Sequence, residues 1–194
     1  MSRGTKPCWQ IQKVFALLFL LPSLACQSPQ TQPVDLEVVT LQADAGWRSV
    51  TPNSMMRKAQ FTLPHVVNDT EDAELVVFYF GAGQGGSVEA NLERWYGQFA
   101  QPDGSVSSEK ASVTRDVVDG MNLTNVDLSG TYVAPTMPGN AEHYNKPNFR
   151  MLAAVLETSQ GPYFFKLVGP QQTVAHWAKS FSQFMKSAKQ KRSE

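Results

Sequence analysis

The chain is poor in the groups that carry most protein chemistry. It has two cysteines, Cys8 and Cys26, and three histidines, His65, His143 and His176, in 194 residues. The histidines have no metal-ligand spacing and the cysteines form no zinc pattern. Asp69, Glu71, Asp72 and Glu74 lack the EF-hand spacing and its glycine, and read as a solvated turn. Neither a metal nor a cofactor is expected. No Gly-Lys-Ser/Thr closes a phosphate loop, and Gly85-Gly86-Ser87-Val88-Glu89 lacks the final glycine of a nucleophile elbow. An excess of positive charge is also missing: 17 basic residues meet 17 acidic ones. No apolar run reaches the 18 or more residues of a membrane span.

What is present begins at the N-terminus. Arg3, Lys6 and Lys13 precede the apolar run Val14–Leu21, followed by Pro22, Ser23, Leu24, Ala25 and Cys26. A positive start, a short apolar core and small residues before a cleavage point form an export signal. Val14–Ala25 as a helix spans about 18 Å against roughly 30 Å of hydrocarbon. Two processing routes fit. Ser23 and Ala25 suit a general signal peptidase. Ser23-Leu24-Ala25-Cys26 also resembles the lipobox of bacterial lipoproteins, although that motif prefers leucine where Ser23 stands. The resemblance implies diacylation of the Cys26 sulfur and a membrane anchor.

Removal of residues 1–25 takes away Arg3, Lys6 and Lys13 and no acid, which leaves a net charge of −3. That balance argues against a nucleic-acid partner. Cys8 departs with the leader, so no internal disulfide is possible and stability rests on packing. Residues 26–34, polar and Pro-rich, read as a tether carrying Cys26. Residues 35–188 read as a single globular domain, and 189–194 as a basic tail.

Within the domain, Leu36–Leu41 and Ala59–Leu63 suit strands. Glu74–Phe80 is apolar at consecutive positions and suits a central strand. A helix follows over 88–100, capped by Ser87, with Val88, Leu92, Trp95 and Phe99 on one stripe. Asp119-Gly120 joins Ser112–Val118 to Met121–Val133 as a tight hairpin. A long loop, 135–148, precedes a second pair, Phe149–Thr158 and Tyr163–Val168. A last helix over 173–188, capped by Thr173, buries Val174, Trp177, Phe181, Phe184 and Ala188. This order predicts an α+β domain, a mainly antiparallel sheet packed by two amphipathic helices.

The candidate ligand loop is Gly81, Gly83, Gly85, Gly86 and Ser87. Gly81-x-Gly83-x-x-Gly86 matches a dinucleotide fingerprint between a strand and a helix. The following polar-alternating strand and hairpin do not supply the parallel second strand of a Rossmann unit. A tight strand-to-helix joint is the plainer reading, with an anion or polar ligand as the functional one. His143 and Tyr144 in the long loop are a second place for a polar site. Trp47, Arg48 and Arg57 flank the second strand, where an ion pair within the domain is expected.

Several motifs resemble a group of uncharacterised exported bacterial proteins. They are Gly46-Trp-Arg48, Met56-Arg57 with Phe61-x-Leu63-Pro64, Glu74 through Gly86, Asn91-x-x-Arg94-Trp95 with Gln98-Phe99, and Gly161 through Lys166 with Gly169-Pro170. That resemblance implies no activity. The element order is also similar to the PsbP-like fold, an αβα sandwich found in extrinsic photosystem subunits and other secreted proteins. The expectation is thus an extracytoplasmic, lipid-anchored, non-catalytic binding or accessory protein with a protein or small-ligand partner in the cell envelope. Two alternatives stay open: an envelope enzyme with a polar pocket near Gly81–Ser87 or loop 135–148, and a purely structural envelope component. Without acylation the product would be secreted or periplasmic.

Overall fold

The computed structural model describes Met1, residues 30–137, Gly139 and residues 141–191. The expected leader and Cys26 lie outside these residues. Eight strands form the main sheet, all neighbours antiparallel. They are β3 (Arg48–Ser49), β4 (Arg57–Leu63), β5 (Ala73–Tyr79), β6 (Phe99–Ala100), β7 (Ser112–Val118), β8 (Met121–Tyr132), β9 (Lys146–Thr158) and β10 (Gly161–Pro170). The spatial order is β3-β4-β5-β10-β9-β8-β6, and β7 also pairs with β8. A small sheet holds β1 (Thr31–Asp35), β2 (Val39–Asp44) and β11 (Lys189–Gln190) in the order β1-β2-β11.

Helix α1 (Val88–Tyr96) covers one face of the main sheet and α3 (Gln171–Lys186) the other; α2 (Ser107–Lys110) is a single turn. Alternation along each strand divides the core in two. On the α3 side Leu75, Val77, Leu156, Tyr163, Phe165 and Leu167 meet Val174, Phe181 and Phe184, with Leu41 and Ala43 of the small sheet. On the α1 side Val126, Leu128, Met151, Val155 and Phe164 meet Leu92, Trp95 and Phe99. β9 and β10 are apolar at consecutive buried positions because they lie between both layers. The result is the expected α+β architecture, an antiparallel sheet between helical layers.

Several boundaries differ from expectation. Strand β1 occupies Thr31–Asp35, so most of the second half of the expected tether belongs to the domain. Pro33 is tolerated because β1 is an edge strand and its missing N–H costs no central ladder bond. Leu36–Leu41 is not one strand: Glu37 adopts φ 70° and turns the chain between β1 and β2. Helix α1 stops at Tyr96, and Phe99–Ala100 pairs with β8 instead. The basic tail begins as a strand, since Lys189–Gln190 pairs with Thr40 and Val39.

Helix α3 begins at Gln171, so Thr173 lies inside it and is not the cap. Asp69, 104 residues earlier, serves that purpose. Its Oδ2 accepts the Thr173 N–H at 2.8 Å and the Thr173 hydroxyl at 2.6 Å. The acidic turn is therefore structural rather than merely solvated. Asp72 accepts from the His65 backbone N–H at 2.9 Å and sits 2.6 Å from His65 Nδ1. Those bonds hold its carboxyl below the usual carboxylate range. Glu71 pairs with Lys146, and Glu74 accepts from Gln60 at 2.7 Å.

Candidate functional site

The glycine loop joins β5 to α1. Gly81, Gly83, Gly85 and Gly86 all have positive φ, from 68° to 102°. Gly85 is the most constrained: an added Cβ would lie 2.7 Å from Phe164 Cε2 and 3.0 Å from Phe80 Cδ2. Asn91, 1% exposed, donates through Nδ2 to the Gly85 and Ser87 carbonyls, both at 2.8 Å. Ser87 caps α1, its Oγ accepting the Ala90 N–H at 3.1 Å. Buried amide, cap and glycines together hold the loop against the sheet.

That loop forms one wall of a groove of about 840 Å³. Gly83, Gly86 and Ser87 line it; Gly81 and Gly85 stand back from it. The opposite wall is the β7–β8 hairpin, through Arg115, Val117, Asn122 and Thr124, with Glu157 and Pro162 between. Glu89 and Arg115 face each other at 4.0 Å with both side chains mostly exposed. Such a pair contributes little to stability and is free to be remade on a ligand.

The hairpin supplies this wall through residues of both its strands. Its turn has Asp119 at φ 52° and Gly120 at φ 81°, both positive as a two-residue hairpin turn requires. Among the described residues no strand pairs with the outer edge of β7. Val117 on that strand is 68% exposed. On the α3 face of the same hairpin lies a second groove, of about 740 Å³, lined by Leu123, Leu152, Phe181 and Met185. Asp127 lines it too and accepts twice from Arg150, at 2.8 and 2.6 Å.

A separate polar cluster lies under the C-terminal end of α1. Lys166 Nζ donates to Gln98 Oε1 and sits 3.4 Å from the Tyr132 hydroxyl and 5.4 Å over its ring. Burial pushes the Lys166 ammonium down to about 8; Glu74 opposes that shift, and Arg94 and Arg57 add to it. Burial also pushes the Tyr132 phenol up to about 12. Tyr144, from the end of the long loop, stacks on Tyr132 with centroids 5.6 Å apart. Arg57, Glu74, Arg94, Gln98 and Lys166 all belong to the sequence motifs quoted above, yet nothing in their spacing showed that they meet. The one available signal was a lysine within the apolar run Tyr163–Val168.

The remaining candidates disperse. His143 is exposed, with Nδ1 2.9 Å from the Ala141 carbonyl. His176 is exposed beside the Trp177 ring. Arg48 pairs with Asp72 at 3.9 Å and Arg57 with Glu74 at 3.8 Å, as expected of ion pairs within the domain. The described residues contain no cluster of three or more metal-ligating side chains, and none of their helices is long and apolar enough to cross a membrane.

No family model matches the chain, and no curated protein matches it. Solved structures do. Cyanobacterial PsbP from Synechocystis sp. PCC 6803 superimposes with a TM-score of 0.50 at 10% identity, over 89% of this chain and 99% of that one. A Pseudomonas aeruginosa protein of unknown function gives a TM-score of 0.46 at 13% identity, over 84% of this chain and 99% of that one. The chain thus has the PsbP-like fold expected from its element order.

Proposed function

We propose that this is an extracytoplasmic binding or accessory domain, held on a membrane through a lipidated Cys26 and without chemistry of its own. The observation that carries the binding reading is the groove between the glycine loop and the β7–β8 hairpin, beside an open strand edge. An edge strand offers a row of backbone donors and acceptors to an extended segment of a partner protein. Gly83 and Gly86 let such a segment approach the loop backbone, while Arg115 and Glu89 supply charges of both signs. Support for the address comes from the leader motif and from a fold shared with PsbP.

Affinity capture from detergent-solubilised envelope, followed by mass spectrometry, tests the binding reading. A reproducible partner that is lost with Val117→Asp and kept with Val106→Asp, a second exposed apolar residue, supports it. Recovery of the bait alone, or equal capture by both variants, contradicts it. The anchor is tested by palmitate labelling, which Cys26→Ala should abolish.

One observation favours a second reading, an envelope enzyme. Lys166 is a buried amine with its pKa drawn toward neutrality, next to Tyr132 and below the end of loop 135–148. Such groups gather at active sites. A neutral amine can attack a carbonyl, so borohydride trapping of a carbonyl compound on Lys166, absent in Lys166→Met, would favour this reading over the first.

A further inference from the structure

We propose that the end of the sheet where α3 begins faces the lipid surface, with Val67 and Met137 in contact with it. This rests on acylation of Cys26. The argument is one of reach. Gln30 is already held by the domain, since its carbonyl accepts the Ala45 N–H at 3.0 Å. Only Gln27, Ser28 and Pro29 separate it from Cys26. Cys26 can therefore lie at most about 14 Å from Gln30. The nine-residue polar tether expected over 26–34 would have left the orientation open; the strand that takes up Thr31–Val34 narrows it.

The position of Gln30 selects the end. β1 starts opposite Asp44, and Asp44 accepts from Ser180 on α3 at 2.7 Å. From there β1 runs about 17 Å away from Gln30. It ends beside Leu36, whose carbonyl accepts the Tyr163 hydroxyl near the β9–β10 turn. That turn, Met55 and the β7–β8 hairpin share the far end, at the greater distance from Gln30. On the near side, Gly46 contacts Trp177, whose Nε1 donates to the Pro64 carbonyl at 2.9 Å. The loop after Pro64 carries Val67, fully exposed. Lys146–Glu71 ties that loop to the segment bearing Met137, 65% exposed. Two exposed apolar side chains thus stand at the end that a short lipid leash holds nearest the bilayer. Met55 and Val117, also apolar and exposed, stand at the end farther from the leash. The groove between the glycine loop and the hairpin lies at that far end.

The test uses full-length protein, processed in cells and reconstituted into phosphatidylethanolamine–phosphatidylglycerol vesicles. Val67→Cys, Met137→Cys, Met55→Cys and Val117→Cys each carry an environment-sensitive fluorophore, and quenching by spin-labelled lipid is read. All four side chains are exposed, so labelling leaves the core intact. Quenching at 67 and 137 is expected to exceed that at 55 and 117 by about twofold or more. Equal or reversed quenching overturns the orientation. The mass of the N-terminal peptide is read from the same sample. Acylated Cys26 without the contrast refutes this inference alone, whereas an unacylated N-terminus removes the anchor on which it rests.

Discussion

Replacing Asp69 by alanine should weaken the whole domain, although Asp69 is a loop residue. Helix α3 has Pro170 at its N-cap position, with no side-chain cap of its own and no acid in its first turn. Asp69 supplies both missing functions from across the chain, a carboxylate against the positive helix end and an acceptor for the Thr173 N–H. Thr173 is fully buried, so its N–H cannot turn to water when Asp69 is lost. Loss of a cap costs about 0.5–2 kcal/mol, and an orphaned buried donor about 1–3 kcal/mol. The hydroxyl keeps one bond, from the Val66 N–H at 3.2 Å, which limits the loss. A total near 2 kcal/mol follows, or a fall in Tm of about 4–8 °C for a domain of this size. Asp69→Asn keeps an acceptor and should lose about half as much. Glu71→Ala breaks only a partly exposed pair with Lys146, and should cost under about 1 kcal/mol. Scanning calorimetry of the three variants decides. Asp69→Ala melting with the wild type, or no lower than Glu71→Ala, would refute the cap.

Gly85→Ala forces a Cβ into Phe164 at positive φ and should cost about 2–4 kcal/mol in urea unfolding, whereas Gly83→Ala, with nothing within 4 Å, should cost only about 1 kcal/mol for its backbone angle. Equal losses would mean that the loop does not pack on Phe164. Lys166 titrates at about 8 in the folded chain against 10.5 for an unperturbed lysine. Between those values the unfolded chain binds the additional proton, so this residue makes stability rise with pH over that window and penalises folding in full below it. Lys166→Met should remove that slope, and an NMR titration of the Lys166 side chain should show its midpoint near 8; a midpoint at 10.5 contradicts the burial argument.

Much of the fold was legible because its signals are local. Asp119-Gly120 marked the hairpin turn, Ser87 the start of α1, and Val174, Phe181 and Phe184 the buried stripe of α3. What could not be read depends on partners distant in sequence. Thr31–Val34 looks like a linker by composition, and becomes part of a strand because β2 offers an edge and Gln32 Nε2 bonds the Asp44 and Trp47 carbonyls. Thr173 has the chemistry of a cap, but Asp69 reaches the helix end instead. In the candidate site, Gly83, Gly86 and Ser87 were visible as a loop, yet the opposing wall of Arg115 and Val117 was not. Nor was the burial of Lys166, which needs Gln98 and Tyr132 from two other elements.

Address and orientation both depend on how the N-terminus is processed. Intact mass and N-terminal peptide mapping of the protein from its membrane fraction test this most directly. The expected product starts at Cys26 and carries a diacylglycerol on its sulfur. A full-length chain in the cytosol, starting at Met1 with its leader uncut, would contradict it.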